Sequence, residues 1–127
     1  MQYRPESGHQ DLMQISTGGA GGALVVTVAG EVDVYSGSRL QVALRDAVDG
    51  SDPQPVIVDL TSVTFFNSTG CAVLVDAFRQ AQRRRRPFAL VVDRAARPVL
   101  LTLHAAGLVG LFSTYGSVDE ARRGLAS

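Results

Sequence analysis

The chain has 127 residues, 46% of them hydrophobic, enough for one core of ordinary domain size without metals or disulfides and too short for a second domain. Twelve basic and twelve acidic residues cancel, so no long-range field favours nucleic acid, anionic lipid or an acidic substrate. The single cysteine, Cys71, excludes an intramolecular disulfide framework and points to a reducing compartment.

The first ten residues are polar, carry Pro5 and Gly8, and lack the apolar core of a signal peptide. They read as a flexible tail, with residues 11–127 as a single domain. No stretch approaches the roughly eighteen apolar residues of a membrane span, so a soluble cytoplasmic protein is expected. Residues 12–15 and 23–28 are short apolar or β-branched runs, and the glycine-rich stretch between them predicts a hairpin with a flexible tip. From Ser38 the period changes, because Leu40, Ala43, Leu44 and Ala47 follow the i, i+3, i+4, i+7 spacing of a helix that stops near Gly50.

Residues 55–60 are apolar up to Asp59, as in a central strand covered on both faces. Cys71, Leu74, Val75 and Phe78 restore helical spacing, and Pro87 predicts that this helix ends around Arg86. Residues 88–92 form the next buried strand. Ala96, Val99, Leu100 and Leu103 then mark a helix, with Gly107 as a left-handed stop. Leu111 and Phe112 suggest an edge strand, and Ser117 with Glu120 has the capping-box spacing that opens a short last helix. The order predicts an α/β fold: a mixed sheet with an antiparallel start, then parallel βα units, packed against about four helices.

The segment 59–71, Asp-Leu-Thr-Ser-Val-Thr-Phe-Phe-Asn-Ser-Thr-Gly-Cys, joins the central strand to the second helix. It resembles the signature of STAS domains of the anti-sigma factor antagonist group, D-L-S-x-V-x-F-x-D-S-S/T-G. Gly30-Glu-Val-Asp33 resembles the G-E-L-D element that ends the second strand of the same family, and the order of elements fits across about residues 11–126. The resemblance implies that Ser68 is phosphorylated by a partner that is both anti-sigma factor and serine kinase, and that a serine phosphatase reverses the modification. Unmodified protein would bind the anti-sigma factor and free a sigma factor, as in stress-response partner switching. The resemblance also places Glu31, Asp33 and Tyr35 near Asn67, Ser68, Thr69 and Gly70 on one partner-binding face. The departure is Asn67, where the family usually has Asp. Asparagine keeps the capping oxygen and removes a negative charge beside the acceptor hydroxyl.

The residues themselves admit plainer readings. Asn67, Ser68 and Thr69 all suit a helix start, and Asp33 or Ser36 suits a turn that caps the first helix. Cys71 lies on the apolar stripe of its helix and reads as core. Arg83 to Arg86 read as a solvated helix end complementing the macrodipole, not as a nucleic-acid patch. No enzyme is expected. His9 and His104 have no metal-ligand spacing with Cys71, the Ser68 segment lacks the first glycine of a G-x-S-x-G elbow, and Gly18 to Gly22 lack the Lys-Ser/Thr of a phosphate loop. No cofactor, metal, membrane or direct nucleic-acid partner is implied. The competing reading of the resemblance is a scaffold or ligand-sensing STAS domain in a larger signalling assembly, not switched in a sigma pathway.

Overall fold

The computed structural model describes residues 12–51, 54–95 and 97–126. The tail assigned to residues 1–10, and Ala96 of the third helical stripe, lie outside the described residues. Five strands, β1 (Met13–Ala20), β2 (Ala23–Val32), β3 (Val56–Phe66), β4 (Phe88–Val91) and β5 (Ser113–Tyr115), form one sheet in sequence order. β1 and β2 are antiparallel and every later neighbour is parallel, as the order of elements predicts. Among the described residues four helices accompany them: α1 (Gly37–Asp49), α2 (Ser68–Arg83), α3 (Pro98–Ala105) and α4 (Val118–Ala126).

Strand alternation divides the core. Val26, Val28, Val56, Val58, Leu90 and Val92 pack with Leu40 and Leu44 of α1, Leu74 and Ala77 of α2, and Val99 and Leu103 of α3. Their alternates, Val25, Ile57, Ala89 and Val91, pack against Ala121 of α4 on the other face. Burial on both faces is why β3 and β4 read as continuous apolar runs. Edge-on packing of Phe78 against Phe88 and Phe112, at 6.3 and 5.5 Å between ring centres, fixes α2 to the sheet. On the exposed flank, Arg45 clasps Asp76 with bonds of 3.1 and 3.2 Å and joins α1 to α2. Those bonds hold the Asp76 carboxyl below the usual carboxylate range.

Several element boundaries differ from the sequence reading. β1 runs through Gly18 and Gly19, so the hairpin tip is only Gly21 and Gly22. β3 continues six residues past the apolar run, to Phe66. The edge strand begins after the expected Leu111 and Phe112, because Leu111 sits in a 3-10 turn and Phe112 is buried in the core. Last, α2 stops at Arg83: Arg85 adopts a left-handed φ of 56°, which turns the chain and sends Arg86 inward.

Arg86 is therefore not part of a solvated helix end; it is 8% exposed. Its guanidinium donates to the carbonyls of Ala47, Val48 and Gly50 at the end of α1, at 2.8, 2.8 and 3.2 Å, and to Gln54 ahead of β3. Helix-end carbonyls lack intrahelical partners and carry the negative end of the dipole, so a planar cation with five donors satisfies several at once. Arg86→Met should lower the free energy of unfolding by about 3 kcal/mol in urea titrations, with Arg86→Lys intermediate, since carbonyls are left unpaired. A loss under about 0.5 kcal/mol, typical of a surface change, would contradict this role.

Candidate partner-binding site

The site is built at the end of the sheet where β2 and β3 both finish. Their parallel register runs Leu24 with Val56 to Val32 with Phe66, interrupted twice, between Thr27 and Ala29 and between Gly30 and Glu31. Each interruption inserts one extra residue into β3. The core-facing residues of β3 are accordingly Val56, Val58, Leu60, Val63 and Phe66, so the spacing changes from two to three. Asp59 supports the first irregularity, its Oδ1 accepting from Thr61 N at 3.0 Å and from Thr61 Oγ1 at 2.7 Å. The second irregularity sends Phe65 outward, 47% exposed, beside Glu31, and Phe66 inward.

After β2 the chain turns into α1 through a hydrogen-bonded knot. Asp33 Oδ1 accepts from the backbone N–H of Tyr35 at 2.9 Å and of Ser36 at 3.1 Å. The fully buried Ser36 hydroxyl accepts from Asp33 N and donates to the Glu31 carbonyl, both at 2.9 Å. Asp33 is thus a turn-forming residue, as its spacing allowed. The turn presents Val34 and Tyr35 outward, 68% and 51% exposed.

After β3 the helix begins among the residues that suit a helix start. Asn67 is the N-cap, extended at φ −129°, with its side-chain oxygen accepting from Thr69 N at 3.1 Å. Ser68 occupies the first helical position; it is exposed, and its hydroxyl makes no hydrogen bond to a described residue. The backbone N–H groups of Ser68 and Gly70 lie in the first turn, where no helical carbonyl precedes them. Gly70 is required by packing: a Cβ there would collide with the Phe66 ring.

The two helix starts lie side by side. A Cβ on Gly37 would stand 2.5 Å from Thr69 Cγ2, so the glycine at the start of α1 permits the first turn of α2 to approach. Two dipole ends of the same positive sense converge there, together with one exposed hydroxyl. Thr102 of α3 closes the third side, donating from Oγ1 to the Phe66 carbonyl at 3.0 Å. Glu31 is in register with Phe65 and Val32 with Phe66, and Gly37 meets Thr69, so the stretches 31–37 and 65–70 adjoin at this end of the sheet, where Val34, Tyr35 and Phe65 are exposed. Phe65 was missed because the apolar run that marks β3 ends at Leu60, five residues before it, and Val34 because it lies in a turn where no strand or helix periodicity applies.

Cys71 sits at the core end of this turn, 6% exposed, and burial pushes its thiol pKa up. That fits the core reading and opposes a reactive thiolate. His104 is exposed on α3. Among the described residues no cluster of His, Cys, Asp and Glu could hold a metal ion, and no helix is long and apolar enough to cross a membrane.

Known proteins share this architecture. The chain resembles the anti-sigma-F factor antagonist RsfB of Mycobacterium tuberculosis, 23% identical over 117 residues, 91% of each chain. It is 32% identical over 65 residues to the anti-sigma-B factor antagonist of Listeria monocytogenes, a match spanning 51% of this chain and 56% of that one. An anti-sigma factor antagonist from Mycobacterium paratuberculosis superposes with a TM-score of 0.81 at 25% identity, covering 91% of this chain and 95% of that structure. The model of the STAS domain matches residues 14–121, and the chain belongs to that family, alongside these anti-sigma factor antagonists.

Proposed function

We propose that the unmodified protein binds an anti-sigma factor with serine kinase activity and frees a sigma factor, that phosphorylation of Ser68 by this partner ends the binding, and that a serine phosphatase restores it. The protein acts in the cytoplasm as a regulatory binding module, residues 11–127 working as one STAS domain, and is not itself an enzyme. The observation that carries the reading is the exposed Ser68 hydroxyl at the first position of α2, in a rim that also exposes Val34, Tyr35 and Phe65. The relatives named as antagonists of anti-sigma factors support the class of partner.

The switch is local electrostatics. A hydroxyl beside apolar side chains tolerates a partner surface that excludes water. A phosphoserine brings about −1.5 to −2 charges to the same spot, and docking then requires stripping water from an anion. Glu31 and Asp33 across the rim add like charge. The fold has no reason to yield, since the anion sits at two converging helix N-termini, where negative charge is favourable. Within the site, Tyr35 and Phe65 supply contact area, Asp33 shapes the turn that presents them, Asn67 and Gly70 position the acceptor serine, and Thr69 packs α2 against α1.

Three outcomes test this. Affinity capture from a lysate of the source organism should recover a kinase-like anti-sigma factor with wild type and Ser68→Ala, and at least about 100-fold less with Ser68→Glu. Ser68→Glu should meanwhile keep or slightly raise the melting temperature. Equal capture by all three proteins would refute the switch. Phe65→Ala should weaken capture about tenfold or more while changing stability by less than about 1 kcal/mol, because the ring is half exposed; unchanged capture would remove Phe65 from the interface. Asn67→Asp keeps an equivalent cap, so stability should hold while Ser68 is phosphorylated faster by the captured kinase, restoring the carboxylate usual in the family. An unchanged rate would show that the acceptor serine does not need that charge.

A further inference from the structure

Helix α1 has three lateral faces with different occupants. Leu40, Leu44, Ala47 and Val48 are buried in the core. Gln41 and Arg45 reach Asp76 of α2. The remaining face turns toward the free edge of the sheet, where β1 has no further neighbour among the described strands. An open groove of about 480 Å³ runs along it, lined by Ile15 of β1 and by Ser38, Arg39, Val42, Ala43 and Asp46. Val42, in the middle of this face, is 59% exposed, an unusual place for a β-branched apolar side chain on a helix that carries charge at either end.

The order of residues along this face is self-complementary. Arg39, Val42 and Asp46 follow the i, i+3, i+7 spacing of one helical stripe. A two-fold axis crossing the helix between Val42 and Ala43 would place a second α1 antiparallel to the first. Arg39 of each copy then faces Asp46 of the other, and the exposed Val42 enters the space over the smaller Ala43. An isologous interface requires this property, one patch that reads as its own partner. A stripe with two like charges would repel itself in the same arrangement. Arg39 is already steadied over the groove, donating to the Met13 carbonyl at 3.2 and 3.3 Å from its two terminal nitrogens, and a guanidinium with five donors serves several acceptors at once. Asp46 is exposed and has no hydrogen-bond or ion-pair partner among the described residues.

We propose that this α1 face docks a second copy of the chain, forming a two-fold dimer through reciprocal Arg39 to Asp46 pairs around Val42. The face lies on the opposite flank of α1 from the Asp76 clasp, and the proposal does not depend on the Ser68 switch. The interface is small, so association belongs to the weak range and exchanges rapidly.

Sedimentation equilibrium of the full chain provides the test. The average mass should rise from 13.4 kDa toward twice that value as concentration increases from about 10 μM to about 1 mM. Arg39→Asp makes the stripe wholly acidic and Asp46→Arg makes it wholly basic, and each variant alone should lose self-association by about tenfold or more. An equimolar mixture of the two should associate as a heterodimer, and the double variant carrying both exchanges should regain dimerisation. Recovery in the mixture also shows that both variants fold. A wild type that stays monomeric over the whole range, self-association that survives in both single variants, or a mixture no more associated than its components would each overturn the proposal.

Discussion

The parallel pairing of β2 with β3, carried to the very end of both strands, is the constraint on which the site depends. Because the strands finish together, the turns that follow must launch α1 and α2 from the same edge of the sheet. The helices can then lie in contact only if something small stands where they start, and Gly37 beneath Thr69 meets that need. The arrangement aligns two helix dipoles, and Asp33 supplies negative charge at the start of α1 only. The start of α2 has no acidic residue in its first turn and favours an anion that arrives there.

The interior and the opposite end of the molecule are held by different means. At the site the polar groups are neutral or acidic and are tied into turns by short local bonds, as with Asp33 and Ser36. At the far end one buried cation, Arg86, gathers carbonyls from α1 and from the chain entering β3. Rigid anchoring at one end and small, solvent-facing groups at the other suit the proposed switch, in which the surface chemistry would change while the backbone beneath it does not.

Much of this was legible in the residues. The helical stripes gave α1, α2 and α3 and a capping box gave α4, whereas the capping residues Asn67 to Thr69 marked only a helix start, and Ser68 was singled out by the family resemblance that the segment from Asp59 to Gly70 carries. What escaped the sequence was non-local. The extra residues in β3 put Val63 in place of Ser62 on the core face before Phe66 turns inward again, and nothing in an alternating pattern announces an insertion. The inward turn of Arg86 depends on a left-handed residue, Arg85, of a type that ordinarily avoids that conformation, and on carbonyls nearly forty positions earlier that only the fold brings near. A run of four arginines is indistinguishable in one dimension from a uniformly wet helix end.

The burial of Cys71 has a practical consequence. The only thiol in the chain belongs to the first turn of α2, next to Gly70 and three residues after Ser68. With the residue only 6% exposed a thiol reagent reacts slowly, so a change in the rate of alkylation reports local opening at the rim, read without any introduced label. The molecule carries its own reporter for whether an anion on the neighbouring serine tightens or loosens the backbone it rests on.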